Sequence, residues 1–549
     1  MARALTDYAR TLIERRQARS MVISPAGVVA SENPLASQAG AMMLARGGHA
    51  VDAAIATNAA MGVVAPMMNG VGGDLFAIVY DAGTDSVRGI NASGWAPSAL
   101  TVDRLKASGC DAMPQTGIHA VTIPGAVAGW GLLHERFGRL SLAQNLEAAI
   151  HLAEEGFPVS ELTAEEWAGS EATLRADAHA SRTYLPSGAA PRVGQRFRNP
   201  DLAWTYRQLA ANGPDALYRG SIADRILACS KLHGGTLSAA DLAEFTAEWV
   251  TPIATTYHDW TVHEIPPNGQ GIAALMMLNL LEGVRLKAYG HNSADALHAL
   301  IEVKKLAYAD LSTYIADPRF AAVPTEGLLS KAYATERLTR VNHARASDDP
   351  PPGHLPVKGG DTTYLCVADR HGNMVSLIQS NFASFGSGLV PDGTGFALQN
   401  RGGLFTLDPA HPNVVMPRKR PLHTIIPGFM SRAGVRIAFG IMGGWNQAQA
   451  HAQFVSNIVD HGMNIQAALE AARFTKLTFG GRDVSMECRV PGAVRAELTR
   501  RGHDIEELGE FSSLVGGGQS VLYDADARVA YGASDPRKDG AAIPEPLLG

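Results

Sequence analysis

The chain is poor in cysteine. Cys110, Cys229, Cys366 and Cys488 are its only four, scattered through 549 residues. No pair has metal-ligand spacing and no dense framework exists, so neither a metal site nor a disulfide scaffold is expected. It also lacks excess basic charge: 47 Lys and Arg stand against 53 Asp and Glu, a net charge of −6. Nucleic-acid binding, which wants a basic face, gains no support. Long apolar runs are missing too. Val63 to Met68, with its Ala-rich lead-in, is broken by Asn58, Pro66 and Asn69, too short to span a bilayer. No Gly-x-Ser-x-Gly and no His-Glu-x-x-His occurs, so a nucleophile elbow and a zincin helix are both absent. Met67 to Leu75 holds a glycine loop that is not Gly-x-Gly-x-x-Gly and leads into a strand, which disfavours a dinucleotide site. No cofactor and no metal is expected. The first 20 residues carry Asp7, Glu14 and five arginines without an apolar core. They read as an exposed amphipathic helix and not as a secretory signal. With the cysteine usage, this points to a reduced, cytoplasmic protein.

What is present is a globular composition, 46% apolar and 18% charged, enough for a sizeable core. Length alone suggests roughly three or four domains of ~150 residues. Val28 to Ser31 reads as a short strand, Ala36 to Arg46 as a helix stopped by Gly47-Gly48, and Ala50 to Val64 as a helix apolar nearly all round, hence buried. Residues 130 to 330 read as largely helical, with segments Leu142 to Glu155, Glu161 to Leu174, Ala203 to Ala211, Ile222 to Leu232, Ile272 to Glu282 and Ser293 to Thr313. His298, Lys304 and Lys305 on the last of these are read first as core or solvated groups.

Residues 343 to 360 change to a polar, Pro-rich linker composition. Directly after it comes Gly359-Gly360-Asp361-Thr362-Thr363-Tyr364-Leu365. Thr362 to Ala368 and Met374 to Gln379 then read as a hairpin about Arg370-His371-Gly372-Asn373. By itself Asp361-Thr362 is read as a loop-to-strand junction, since short motifs without context are weak. A cut between these residues would give Thr362 a free α-amine. Such an amine titrates near ~8 and is the base a Thr hydroxyl needs to act as nucleophile.

The context comes from segments spread over nearly the whole chain: Ala30-Ser31-Glu32-Asn33-Pro34-Leu35-Ala36-Ser37, Gly47-Gly48-His49-Ala50-Val51-Asp52, Gly70-Val71-Gly72-Gly73, Pro124-Gly125-Ala126-Val127, Lys419-Arg420-Pro421-Leu422, Gly443-Gly444, and Tyr531-Gly532-Ala533-Ser534-Asp535-Pro536-Arg537. In this order and spacing the chain resembles the γ-glutamyltransferase (γ-glutamyltranspeptidase) family of N-terminal nucleophile hydrolases. The resemblance implies an α+β fold, a four-layer αββα sandwich. It implies a precursor cut into a large subunit, residues 1–361, and a small subunit, residues 362–549. These would form an α/β heterodimer, with a dimer of heterodimers a further option. It implies Thr362 as nucleophile of an acyl transfer from a small-molecule amide to water or an amine. Ser380 stands where the family has an assisting threonine, and Gly443 and Gly444 match the oxyanion-hole pair. Thr363 is in the pattern and orients the N-terminus, although strand alternation turns its side chain away from that of Thr362.

The chain departs from the glutathione-using members in the pocket. Ser93 occupies the place of the arginine that holds the donor α-carboxylate. Leu404 stands for the acid that holds the α-amine, and Phe382 for an asparagine. His423-Thr424 replaces a serine pair. Arg401, His423, Thr424 and Asn400, with Phe382 and Ser93, are therefore the candidate substrate-binding residues. Gln399-Asn400-Arg401-Gly402 with Leu422-His423-Thr424 looks like the oxamate amidohydrolase branch. Three alternatives follow: γ-glutamyl transfer itself, hydrolysis of a small amide of oxamate or cephalosporin-acylase type, and an uncut, non-catalytic binding relative. Denaturing electrophoresis is expected to show two fragments, the smaller beginning at Thr362. One intact band after long incubation, identical to that of Thr362→Ala, is the opposing outcome.

Overall fold

The computed structural model describes residues 17–348 and 361–547. The expected N-terminal helix over residues 1–16 and the Pro-rich run 349–360 lie outside them. Two seven-stranded sheets form the centre. One runs in the order Ala541–Pro544, Val28–Ser31, Asp361–Ala368, Met374–Phe382, Asp74–Asp81, Ser86–Ala92, Glu248–Val250. The other runs Val22–Ser24, Val529–Ser534, Gly518–Asp524, Val435–Ile441, Gly428–Arg432, Trp260–Glu264, Ile253–Tyr257. Neighbours in both are antiparallel.

Side-chain alternation along the central strands builds the layers. Tyr364 and Cys366 point into the space between the sheets, with Phe76, Ile78, Ile378, Phe429, Ala438 and Val521. Leu365 and Val367 point the other way, onto the helical layer that includes Pro34–Ala45, Ala50–Val64 and Leu142–Glu155. On the far face of the second sheet, Val262, Met430, Ile437 and Phe439 pack under Gly271–Glu282, Ala294–Tyr314 and Gln447–Val459. The order is helix, sheet, sheet, helix: the αββα sandwich expected from the sequence.

Local chemistry places the first helices. Asn33 caps Pro34–Ala45 by accepting the Leu35 N–H at 2.9 Å, with Pro34 at the first turn. Helix Ala50–Val64 has every residue buried. It lies so close to its neighbour that a Cβ on Gly40 would sit 2.1 Å from Thr57 Oγ1, so only glycine fits there.

The stretch expected to be helical differs in two places. Glu248–Val250, Ile253–Tyr257 and Trp260–Glu264 are strands, and they complete the edges of both sheets. The last two form a hairpin in which buried and less buried residues alternate, turning through His258 at φ 52°. The expected helix Glu161 to Leu174 is two helices, Glu161–Ala168 and Glu171–Arg175, parted at Gly169-Ser170, where glycine and serine weaken the helix. Strands Ser86–Ala92, Gly428–Arg432 and Ala541–Pro544 are further elements that periodicity did not expose.

Ions are buried beneath the second sheet. Arg537 donates to Glu487 at 2.6 Å and to Asp535 at 3.0 Å, and Arg473 also bonds Asp535. Burial pushes the Asp535 carboxyl up, but Arg473 and Arg537 outweigh it and hold it below its ordinary value. A depressed carboxyl contributes stability above its unfolded pKa and loses it as pH falls through the folded one. Asp535→Asn is expected to cost about 3–5 kcal/mol by leaving the arginines uncompensated. It is also expected to flatten the loss of stability below pH ~4. Denaturant titrations of both proteins across acid pH check this.

Candidate active site

Thr362 begins the inter-sheet face of its strand, two residues before Tyr364. Opposite it the neighbouring strand bulges: Asp361 pairs with Phe382 and Thr363 with Gln379, so Ser380 and Asn381 together face Thr362. Ser380, two residues on from the inward-pointing Ile378, falls on the same inter-sheet face, and Thr362 Oγ1 donates to Ser380 Oγ at 3.3 Å. Ser380 Oγ also accepts the Phe382 N–H at 2.7 Å, and Phe382 takes a positive φ of 77° to close this turn. Thr362 and Ser380 are both buried. Thr363 is buried as well, and its hydroxyl has no hydrogen-bond partner among the described residues.

Gly443 and Gly444 arrive from the other sheet at the same end. Strand Val435–Ile441 runs beside strand Asp361–Ala368, and a Cβ on Gly440 would strike the Tyr364 ring at 2.4 Å. Gly443 and Gly444 take φ values of 119° and 56°, which glycine adopts at little cost. Their carbonyls are held, Gly443 by the Asn446 N–H at 2.9 Å and Gly444 by Gln270 Nε2 at 2.8 Å. Their N–H groups have no backbone partner among the described residues. The loop is braced from behind: Met442 N–H donates to Gly517 O at 3.0 Å, and the Gly518 N–H donates to Asp535 at 3.2 Å. The buried ion cluster thus supports the paired glycines.

Beyond Ser380 lies a second buried ion cluster. Asp74 pairs with Ser380 across the sheet. Arg401 Nε donates to Asp74 at 3.1 Å and its Nη2 at 3.4 Å, while Nη1 donates to Thr424 Oγ1 at 2.6 Å. These contacts use three of the five guanidinium N–H donors. The guanidinium also lies 4.6 Å from the centre of the Phe382 ring. His423 Nε2 and Asp74 Oδ2 are 2.6 Å apart. Burial, then the Arg401 charge, push His423 down to about 4 against the pull of Asp74. Burial raises the Asp74 carboxyl, but Arg401 and His423 together hold it below its ordinary value. At neutral pH the cluster is an Arg–Asp ion pair with a neutral imidazole. His423 therefore donates from Nε2 to Asp74, while Nδ1 accepts the Ile425 N–H at 3.3 Å.

The remaining sequence candidates are placed as follows. Ser93 Oγ donates to Asn91 at 2.7 Å and accepts from Asn268 Nδ2 at 3.2 Å. Asn400 accepts the Ala383 N–H at 3.0 Å and donates to Gln115 O at 2.6 Å, clamping the turn after the bulge. Leu404 packs with Phe382 in the apolar cluster of the second sheet. His298, Lys304 and Lys305 are buried in their helix. His298 and His503 approach to 2.8 Å, and Lys305 bonds the adjacent Glu302 at 2.7 Å. His298, Glu302 and His503 are close enough to hold a cation, but the Lys305 ammonium already takes Glu302, so the group is an internal ion-pair network. Sequence reasoning missed Asp74 and Gln270. An acid at the head of an otherwise apolar strand, Asp74 to Tyr80, is a signal that a buried charge needs partners.

A family model described as Gamma-glutamyltranspeptidase matches residues 36–545. The chain belongs to the γ-glutamyltranspeptidase family. Within that family it is 35% identical to the glutathione hydrolase-like YwrD proenzyme of Bacillus subtilis over 527 residues, 95% of this chain and 99% of the relative. It is 34% identical to the oxamate amidohydrolase proenzyme of Klebsiella pneumoniae, over 95% of this chain and 98% of that one. The crystal structure of a cephalosporin acylase from Bacillus halodurans superposes with a TM-score of 0.91 at 41% identity, covering 98% of this chain and 99% of that one. The protein is thus an amidohydrolase and acyltransferase of the γ-glutamyltranspeptidase family with the N-terminal nucleophile hydrolase fold.

The ion pair can be tested apart from catalysis. Arg401→Met or Asp74→Leu alone is expected to lower stability by about 3–5 kcal/mol, each leaving one buried charge uncompensated. The double variant is expected to recover most of that loss, giving a coupling above ~2 kcal/mol in a double-mutant cycle measured by urea unfolding.

Proposed function

We propose that the bond between Asp361 and Thr362 is cut by the protein itself and that Thr362 then acts as the N-terminal nucleophile of an amide hydrolase. The observation that carries this reading is the 3.3 Å contact of Thr362 Oγ1 with Ser380 Oγ, at the end of the sandwich where the Gly443-Gly444 loop also arrives. Thr362 Oγ attacks the amide carbonyl while its α-amine takes the proton. The N–H groups of Gly443 and Gly444 receive the developing oxyanion, for which one donor is worth about 3 kcal/mol. Ser380 orients the Thr362 hydroxyl. Water or an amine then resolves the acyl-enzyme. Residues 1–361 and 362–549 become large and small subunits. They stay interlocked because strand Asp361–Ala368 lies between Val28–Ser31 and Met374–Phe382, while Ala541–Pro544 of the small subunit pairs on the other edge of Val28–Ser31.

The substrate reading follows from charge. A glutamyl donor brings an α-amine and an α-carboxylate, which want an acid and an arginine. Ser93 and Leu404 supply neither. Arg401 is already compensated by Asp74 and retains two N–H donors, enough to orient a carbonyl or carboxylate oxygen of a small acyl group. A small amide, of the kind named for the oxamate and cephalosporin relatives, fits better than glutathione. All four cysteines are free thiols, which supports a reducing, cytoplasmic setting; separately, no helix among the described residues is long and apolar enough to cross a membrane.

Thr362→Ala is expected to remain one chain and to release no ammonia or amine from any amide. In a panel of amides, kcat/KM for small acyl donors such as oxamate is expected to exceed that for γ-glutamyl anilides by at least ~10-fold, the scale of one or two mismatched polar contacts. Efficient turnover of γ-glutamyl anilides would return the assignment to γ-glutamyl transfer.

A further inference from the structure

Gln270 ends the segment Asn268-Gly269-Gln270, which leads from strand Trp260–Glu264 into helix Gly271–Glu282. It is fully buried. The backbone around it is fixed to the segment that carries His423. The His423 N–H donates to Asn268 O at 2.8 Å, and the Gln270 N–H donates to His423 O at 2.9 Å. Asn268 Nδ2 donates to Pro421 O at 2.8 Å. From this mount the Gln270 amide reaches carbonyls on two separate segments. Nε2 donates to Thr424 O and, at 2.8 Å, to Gly444 O. Both amide hydrogens are thereby used. Oε1 is buried and has no hydrogen-bond partner among the described residues. The two donors therefore fix the amide in one orientation, because turned over it would set its oxygen against two carbonyl oxygens.

These two carbonyls belong to different parts of the site. Thr424 Oγ1 accepts from Arg401, Arg401 donates to Asp74, and Asp74 pairs across the sheet with Ser380, which accepts the Thr362 hydroxyl. A continuous path of contacts thus runs from Thr362 to Thr424, and Gln270 carries it on to Gly444. The paired glycines leave their loop free to adopt other conformations. Bonds within the turn set its shape: the Asn446 N–H donates to Gly443 O at 2.9 Å, and the Gln447 N–H donates to Gly444 O. Such bonds move with the turn and do not fix its place. Other anchors act beyond the glycines, where the Tyr308 hydroxyl donates to Trp445 O and Asn446 Nδ2 donates to Val515 O at 2.8 Å. Among the described residues, Gln270 is the side chain from outside the turn that holds Gly444 itself.

We propose that Gln270 is a positioning residue for the oxyanion donors, holding the Gly444 peptide in a fixed place relative to Thr362 and Ser380. The inference rests on the reading of Thr362 as nucleophile and of Gly443 and Gly444 as the donors to the oxyanion. Such donors accelerate the reaction only when they are aimed, before it begins, at the place the oxyanion will occupy. The Gly444 N–H belongs to the peptide whose carbonyl is Gly443 O, held by Asn446, and the next peptide is held through Gly444 O by Gln270. With both planes fixed, the N–H between them keeps one direction. Without the Gln270 amide the second plane keeps only its bond inside the turn, and the link to Thr424 is lost.

The test compares Gln270→Met and Gln270→Asn with the wild type, each as folded, cut enzyme. Methionine keeps the length of the side chain and removes both donors, while asparagine keeps the amide but withdraws it by one methylene. Gln270→Met is expected to lower kcat by about 10- to 100-fold, the scale of a donor displaced by ~1 Å. Its KM is expected to stay within about threefold, because the lost interaction belongs to the transition state. Gln270→Asn is expected to fall between, and it carries the same comparison if Gln270→Met does not fold. A small alkylboronic acid adds to the Thr362 hydroxyl and sets a tetrahedral oxygen where the oxyanion forms. Its inhibition constant is expected to rise with the loss in kcat, while that of oxalate, which forms no such adduct, stays within about threefold. A kcat within about twofold of wild type in both variants overturns the proposal. Equal weakening of the boronic acid and of oxalate also overturns it, since that marks a general loosening of the site. So do folded chains of both variants that remain uncut, since Gln270 would then serve the cut. Mass spectrometry of the wild type separates the two readings. An uncut wild-type chain removes the nucleophile assignment and this proposal with it, while a cut, active wild type whose variants keep kcat removes this proposal alone.

Discussion

The backbone ladder that holds strand Asp361–Ala368 on both edges is the constraint from which the site follows. One edge pairs with Val28–Ser31 and the other with Met374–Phe382. A central strand of this kind is rigid, and its first residues stand where the ladder runs out. That end is therefore the place where a nucleophile can be both firmly mounted and released from pairing. The bulge opposite Thr362 and the side-chain bond from Glu32 to Tyr364 occur at the two points where regular pairing stops. Each replaces a lost ladder contact with a side-chain hydrogen bond.

Around this mount the interior is charged but balanced. Arg401 with Asp74, and Arg473 with Asp535, Arg537 and Glu487, are buried ion groups that hold loops and contribute little net charge. A buried pair adds little stability over an apolar one, but it is costly to break. Such groups suit loops that must keep one conformation. The Gly443-Gly444 loop rests on the second group through Gly517 and Gly518. The same balance that holds Arg401 in place also removes most of the charge it would offer a glutamyl carboxylate.

Much of this was legible in the residues. The helices Ala50–Val64 and Leu142–Glu155 follow the apolar pattern to the residue, and the hairpin after Thr362 follows alternation and a Gly-Asn turn. Short edge strands were not legible. Glu248–Val250 and Ile253–Tyr257 are half-exposed and brief, and the first pairs with Ser86–Ala92, far away in the chain. Asp74 was equally hidden, because a charge at a strand end is ordinary until its partners 327 and 349 residues away are known.

The sequence by itself determined the family and, through that resemblance, the expectation of four layers, because motifs and their order can be read along one chain. The tertiary structure decided which groups are charged and which stand beside Thr362. Arg401, a free cation when read in sequence, is compensated by Asp74. Thr363, adjacent to Thr362, is turned away from it, and Glu32, more than 300 residues earlier, is brought to the Tyr364 N–H of the same strand. Compensation and facing are relations between distant segments, set by strand register and burial, and neither has a signature in the order of the residues.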